Sequence, residues 1–351
     1  MNREELVRNI KDGEIISKVD LSGTDLSGAN LSGGIFEEVR FHGANLAGAD
    51  LRESIFTKPN FSGADLSGVN MRLTVMTEAN LTGVSLKNAD MIEAKLTNAD
   101  LSGADLSGAD LSTAALISAT LKEADLSNTN LDRAVLHEAN LQGAKLSGAN
   151  LSQTVMMGAV LEGAVFTGAK LHLTMMLNVN LSGMDLSGMQ FTGVQFKGAD
   201  LSGVNLTGAD LTQASFMGAN LEGAVLDQVK AQYAIFMQAK MIKASLKGSF
   251  LKQTSFGEAD LTGADLSGAE VESSVFEKSV CRAARFVGAN LTYCDFSHAD
   301  LSGADMSRAR LFRTKLHRVI EEYTRWDAAA KALALGTDPE RAEAEDWQPE
   351  L

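Results

Sequence analysis

Few residues in this chain have the types and spacing for chemistry. The five histidines are His42, His137, His172, His298 and His317, and the two cysteines are Cys281 and Cys294. A zinc centre needs three or four His, Cys or carboxylate ligands at fixed geometry. Only His298 and His317 are spaced to become neighbours, no further ligand is expected to reach them, and all five imidazoles are expected to face outward. Metals and cofactors are therefore read as none. The cysteines are expected to point inward as small apolar residues, forming neither a metal site nor a disulfide, a usage that suits a reducing compartment. Gly-x-Asp and Ser-Gly pairs occur throughout, so a phosphate-loop match carries no meaning. The abundant aspartates recur at one phase of a repeat and read as solvated surface.

The element that must position these groups is a five-residue repeat. Taking i as 16, 21, 26 and onward to 316 gives 61 consecutive units without an insertion. Position i is Leu, Phe, Met or Ile in 58 of them, the exceptions being Ala231, Val271 and Cys281. Position i−2 is nearly always small, mostly Ala. The pure unit reads Ala104-Asp105-Leu106-Ser107-Gly108. A period of five is neither the 3.6 of a helix nor the 2.0 of a strand. One large and one small inward residue per five suits a chain that turns a corner in every unit. A fixed internal period also marks an array in which each unit covers only its neighbours.

These A(D/N)LXX units resemble the pentapeptide-repeat family over about 300 of the 351 residues. The resemblance implies an all-β fold, a right-handed quadrilateral parallel β-helix with four units per coil. The phenylalanines support a 20-residue coil independently: 13 of 15 occupy position i, and eight share one phase modulo 20. Those eight are Phe36, Phe56, Phe196, Phe216, Phe236, Phe256, Phe276 and Phe296. Stacked coils would turn the last six into a continuous ring ladder, each pair adding roughly 0.5–1.5 kcal/mol beyond burial. About 15 uninterrupted coils follow, a rod of roughly 70 Å at ~4.8 Å per coil. The unbroken phase argues for one array over residues 14–316.

Both ends carry closure signals. Residues 1–13 are expected to form an N-terminal helical cap, with Asn2 as N-cap, Glu5 completing a capping box and Gly13 as the stop. Its Leu6, Val7 and Ile10 would cover the first coil. Beyond Leu316, Val319, Ile320, Tyr323, Trp326 and Ala330 recur at helical spacing and predict a C-terminal helical cap over 317–336. Residues 337–351 read as an acidic, loosely ordered tail. Such caps hide open strand edges. No apolar run approaches a membrane span and no cleaved leader is evident, so a cytoplasmic location is expected.

The outward positions i−1, i+1 and i+2 depart from plain repetition. One i−1 column, residues 15, 35, 55 and onward to 315, is apolar at ten of its 16 places: Ile15, Ile35, Ile55, Val75, Ala115, Val135, Val155, Met175, Ile235 and Val275. The same wall adds Ile117, Met157, Leu177, Met217 and Met237 at i+1, and Leu73, Leu173, Tyr233 and Tyr293 line the adjoining corner. A β-branched ladder that favours parallel stacking accounts for Ile15 to Val75. It accounts poorly for exposed methionines and tyrosines. Met-rich apolar surface adapts to partners, and contiguous exposed apolar patches mark binding faces. The candidate partner-binding residues are Ile117, Val135, Val155, Met157, Met175, Leu177, Met217, Tyr233, Ile235 and Met237.

A solid β-helix offers no interior cavity, and enzymes need concave sites, so no catalysis is expected. The reading is a non-enzymatic scaffold or adaptor that binds an unidentified protein partner through one apolar wall. The family resemblance permits a setting such as a bacterial secretion or effector system. The same wall is also suited to pairing with itself about a two-fold axis, which leaves monomer and homodimer open. The resemblance further implies an alternative, a DNA-mimicking regulator of a type II topoisomerase such as gyrase. The net charge is −14, of which −5 lies from His317 onward, leaving −9 for the array. A duplex of ~70 Å carries roughly 40 phosphate charges, so the array is thinly charged for a mimic. Excess acid without a basic stripe argues against direct nucleic-acid binding.

Overall fold

A chain that turns every five residues must find acceptors for five backbone N–H groups per unit, and residues 104–108 provide all five. Leu106 N–H donates to the Asp125 carbonyl (2.8 Å) and Gly108 N–H to that of Ser127 (3.0 Å), both one coil ahead. Asp105 N–H donates back to Val84 (2.9 Å), and Ala104 N–H closes the turn on Leu101 (3.0 Å). The fifth, Ser107 N–H, goes to the Asp105 carboxylate (3.1 Å), which also accepts the Ser107 hydroxyl (2.6 Å). Gly108 makes the corner at φ +70°, a left-handed conformation that glycine adopts without a Cβ clash.

The computed structural model describes residues 1–347, which divide into two compact units, the first Met1–Val179 and the second beginning at Asn180. Each is a right-handed quadrilateral β-helix in which an i−1 residue bridges its counterpart 20 positions on. In the first unit the bridges run from Ile15↔Ile35 to Val155↔Met175; in the second, from Asn180↔Asp200 to Lys315↔Leu335. The division falls just before Met184 and Met189, which occupy i−2 slots normally sized for Ala and stay half-buried where other i−2 residues are buried.

The first unit opens with helix α1, Arg3–Lys11, capped as anticipated: Glu5 N–H donates to Asn2 Oδ1 (2.9 Å), and Glu5 accepts the Asn2 N–H (3.4 Å). Leu6 is its buried residue. Three short parallel strands follow on one wall, β1 Ile15–Ser17, β2 Ile35–Glu37 and β3 Ile55–Thr57. In each the middle residue is buried and its neighbours are exposed, the alternation expected of β-branched residues on a pleated wall. The core is the i column with the small i−2 column beside it. Many buried hydroxyls at i−2 are satisfied by a carbonyl one coil back, as in Thr154 to Leu131 (2.7 Å) and Thr314 to Leu291 (2.8 Å), while Ser279 bonds within its own coil to Phe276 (2.7 Å).

In the second unit Phe196, Phe216, Phe236, Phe256, Phe276 and Phe296 form the anticipated ladder, with centroids 5.0, 4.8, 5.1, 4.7 and 4.4 Å apart and rings within 17° of parallel. Its C-terminal end differs from the helix expected over 317–336. Ile320 bridges Asp300, Arg325 bridges Asp305 and Leu335 bridges Lys315, with only a short 3₁₀ turn at Lys331–Leu333. The coil edge at 300–316 offers unpaired backbone groups that a following extended chain can satisfy. The small i−2 phase also persists through Val319, Thr324, Ala329 and Ala334 after the i column has lost its aliphatic residues to Glu321, Trp326, Lys331 and Gly336. A helix does form, but later: α2, Pro339–Asp346, lies inside the stretch read as a loose tail. Asp338 caps it by accepting from the N–H groups of Glu340 and Arg341, with Pro339 at its first position, a strong start signal. The end of that tail, 348–351, lies outside the described residues.

Gly34 exposes how tightly the first unit is packed. It sits at i−2 of Phe36, where Ala is usual, and a Cβ there would lie 2.6 Å from Phe36 Cε2 and 3.0 Å from the Leu31 carbonyl. That ring stacks on Phe56 at 4.5 Å and meets Phe41 edge-on at 5.7 Å. Gly34→Ala restores the repeat consensus yet is expected to destabilise the protein by about 1–3 kcal/mol, the range for overpacking a core. A lowered urea midpoint checks this; an unchanged or raised midpoint would show that the ring has room.

Candidate functional site

The ten wall residues divide between the two units. In the first, Val135 and Val155 bridge each other and Val155 bridges Met175, placing these three on successive coils. Met157 and Leu177 flank them at i+1, while His137 separates Met157 from Ile117 and contacts the Met157 carbonyl through Nδ1 (3.0 Å). Met175 is 39% exposed; the other five are half-buried. In the second unit Met217 and Met237 lie on adjacent coils, joined by the Gly218 N–H to Met237 carbonyl bond (3.0 Å). Ile235 bridges Ser215 and Ser255, so its column is less continuous. Tyr233 is 55% exposed and occupies a corner at φ +62°.

The apolar wall lacks a side-chain acceptor that completes many corners elsewhere. Where i−1 is Asp or Asn, its oxygen takes the i+1 N–H, as Asp200 takes that of Ser202 (3.0 Å) and Asn150 that of Ser152 (3.2 Å). The backbone and hydroxyl of Ser202 hold the Asp200 carboxyl below the usual carboxylate range. Ala115, Val155, Met175 and Ile235 have no such oxygen. Among the described residues, the N–H groups of Ile117, Met157, Leu177 and Met237 meet no protein acceptor. Sequence reading took the aspartates as solvated surface; they are the acceptors that complete the corners.

The cysteines face inward as anticipated. Cys294 Sγ donates to the Val271 carbonyl (3.0 Å) and Cys281 Sγ lies 3.3 Å from Ser279 Oγ. Burial pushes both thiols up to about 12, which leaves neither available as a thiolate nucleophile or ligand near neutrality.

The histidines depart from expectation. His317 is buried and His298 half-buried, with their rings 5.3 Å apart, and α2 brings Glu345 onto the pair. The three ligand-type atoms lie within 4.8 Å of one another, so the cluster must be tested as a cation site. Asp338 N–H donates to His317 Nδ1 (3.1 Å). A neutral ring then carries its proton on Nε2, the atom a metal would require, and donates it to Glu345 Oε2 (3.1 Å). Metal-bound histidines show the reverse pattern, donating from the second nitrogen. Two guanidiniums also crowd the carboxylate: Arg341 Nε at 2.8 Å from Oε1 and Arg318 Nε at 3.4 Å from Oε2. The donors fit a polar latch rather than a metal centre. Arg318 completes it by donating to Asp346 (2.5 Å) and to the Ala342 carbonyl (2.7 Å). Helix α2 buries none of its residues, so these polar contacts hold it.

The His317 hydrogen bond, joined by those from Arg341 and His298 and opposed by desolvation, brings the Glu345 carboxyl from 4.5 to about 2. A carboxyl whose pKa falls on docking stabilises the docked state fully above its free pKa and loses that contribution as pH drops through the docked value. Amide protection across α2, corrected for intrinsic exchange, is therefore expected to decay between pH 4.5 and about 2. Glu345→Gln should lower protection at neutral pH and remove the decay over that window. Equal protection in both proteins would show that Glu345 does not hold the helix.

No curated protein sequence matches the chain. Among solved structures, it is similar to HetL, a pentapeptide repeat protein of heterocyst differentiation regulation from the cyanobacterium Nostoc sp. strain PCC 7120. That match has 26% identity over 90% of this chain and 96% of that one, with a TM-score of 0.22. It is also similar to QnrB1, a plasmid-mediated fluoroquinolone resistance protein, at 20% identity over 59% and 91% of the two chains, with a TM-score of 0.31. A pentapeptide repeat protein from the Arabidopsis thaliana thylakoid lumen shares 30% identity over 28% and 64%, with a TM-score of 0.23. The family model described as "Pentapeptide repeats (8 copies)" matches residues 15–33, 35–72, 74–112, 114–153, 144–176, 178–208, 205–241, 239–277 and 279–318. With its repeat phase, corner bonds and 20-residue coil all accounted for, the chain belongs to the pentapeptide-repeat family.

Proposed function

We propose that this protein is a non-enzymatic interaction protein that engages a protein partner through the apolar wall of its first unit. The observation that carries the reading is the run of Val135, Val155, Met157, Met175 and Leu177, apolar side chains that reach solvent on successive coils, with Val135, Val155 and Met175 standing where other walls often carry Asp or Asn. That replacement leaves backbone N–H groups at the wall open to solvent or to a partner. Methionine at the centre supplies an adaptable contact surface. Met217, Tyr233, Ile235 and Met237 provide a second, shorter patch on the other unit.

The acidic walls are a weaker choice of contact face. Their carboxylates already accept internal hydrogen bonds, and many are paired with Lys or Arg, as in Arg285 and Lys247 with Asp265.

Changing Val155, Met157, Met175 and Leu177 together to Asp is expected to abolish retention of the partner in affinity capture, with the circular dichroism spectrum and melting temperature close to wild type. A light-scattering mass separates a foreign partner from a second copy: a wild-type dimer that becomes a folded monomer in the variant would assign the wall to self-association. Undiminished capture by a folded variant would overturn the reading.

A further inference from the structure

A second face, chemically unlike the apolar wall, lies near the C-terminal end of the second unit. From Arg282 to Lys331 most cations are paired within the protein. Arg282 pairs with Asp300 (2.5 Å), Arg285 with Asp265 (3.4 Å), Lys315 with Asp295 (2.9 Å), Arg318 with Asp346 (2.5 Å), Arg325 with Asp327 (3.2 Å) and Lys331 with Glu321 (2.6 Å). Among the described residues, Arg308, Arg310 and Arg313 meet no carboxylate within 4.0 Å. All three are exposed and belong to the same wall. Arg310 stands at its i−1 centre, bridging Asn290, while Arg308 and Arg313 form the two flanking corners at φ +60° and +54°.

The same wall carries aromatic surface. Phe312, at i+1, is 47% exposed and packs edge-on against Tyr293 one coil earlier, at 5.6 Å and 84°. Phe312 is one of only two phenylalanines in the chain outside position i. Tyr293 holds its corner at φ +60°, a conformation uncommon for a bulky side chain. The result is an edge-on aromatic pair on the same wall as three arginines that meet no carboxylate among the described residues, on a chain whose net charge is −14.

We propose that this wall binds an acidic peptide segment of a partner protein, with carboxylates on Arg308, Arg310 and Arg313 and an aromatic or apolar residue on Phe312 and Tyr293. Guanidiniums offer carboxylates a planar, two-pronged contact, and Arg and aromatic residues are the types enriched at protein contact centres. A short segment suits the patch better than a long polyanion. The basic surface is confined to one wall of one coil, and the acidic remainder of the chain repels an extended phosphate backbone.

Fluorescence anisotropy tests this with a short fluorescein-labelled peptide of alternating Glu and Tyr, a Lys/Tyr peptide of equal length and a labelled oligothymidylate. The wild-type protein is expected to bind the Glu/Tyr peptide and not the Lys/Tyr peptide, more weakly as salt rises. The triple variant Arg308→Gln, Arg310→Gln, Arg313→Gln breaks no internal ion pair, so it should fold normally. It should bind about tenfold or more weakly, because three small ionic contributions are lost together. Phe312→Ala should weaken binding without changing the salt dependence. The apolar-wall variant should bind the peptide as wild type does, which keeps the two faces experimentally separate. Absence of Glu/Tyr binding, unchanged affinity in the triple variant, or tighter binding of oligothymidylate would each overturn the proposal.

Discussion

The bond from an i−1 side chain to the N–H of i+1 is the constraint on which this architecture rests. In a regular unit such as 104–108, four of the five amides are satisfied by backbone carbonyls, through the turn or through the coils on either side. The fifth lies at a corner where no carbonyl can reach it. Asp or Asn at i−1 solves that problem locally, which explains why a residue that faces solvent is so restricted in type. The same bond draws negative charge onto the aspartates, and Ser at i+1 adds a hydroxyl to the same oxygen, as Ser267 does for Asp265 (2.5 Å). An acidic composition is thus partly a by-product of building corners.

Strict register brings a second problem, because each side chain sits directly over its counterpart one coil away. Columns of like charge would repel. Asn interleaved with Asp relieves this: Asn130 donates its amide to Asp110 (3.1 Å), and Asn205 to Asp185 (2.9 Å). Lys and Arg do so elsewhere, as in Lys315 with Asp295 and Arg325 with Asp305. The inner columns exploit the same register to opposite effect, lining up six phenylalanines as near-parallel rings. Against this background, a column that gives up acceptors for Val and Met, and a wall whose three arginines meet no carboxylate among the described residues, stand out as departures from the structural rule.

Much of the fold was legible because the repeat is an inward pattern and inward patterns are read directly. The i and i−2 columns, the Phe ladder, the capped helix α1 and the buried thiols all follow from residue size at a fixed phase. Less legible was whatever depended on the outward surface or on single units. Met184 and Met189 keep the phase while breaking the size rule, so a period count passes over them. Helical spacing from Val319 to Ala330 competed with the continuing i−2 column, and pairing to an open coil edge prevailed over local periodicity. The latch was missed because its third member, Glu345, lies on a helix announced only by Asp338-Pro339 within an acidic stretch. The candidate faces were visible as composition. Their separation into two patches on two units, and the amides left open at Ile117 and Met157, required coordinates.

The 20-residue return also governs how such a chain acquires its structure. Every bridge joins residues one coil apart, so contacts that are far apart in space along the array never require ends far apart in sequence to meet. Loop-closure entropy is therefore paid in small equal increments, and relative contact order stays low for a chain of 351 residues. Order can spread outward from whichever coil forms first. Helix α1 packs against β1 and closes one end of the first unit, so ordering there has a finished edge to which successive coils can add.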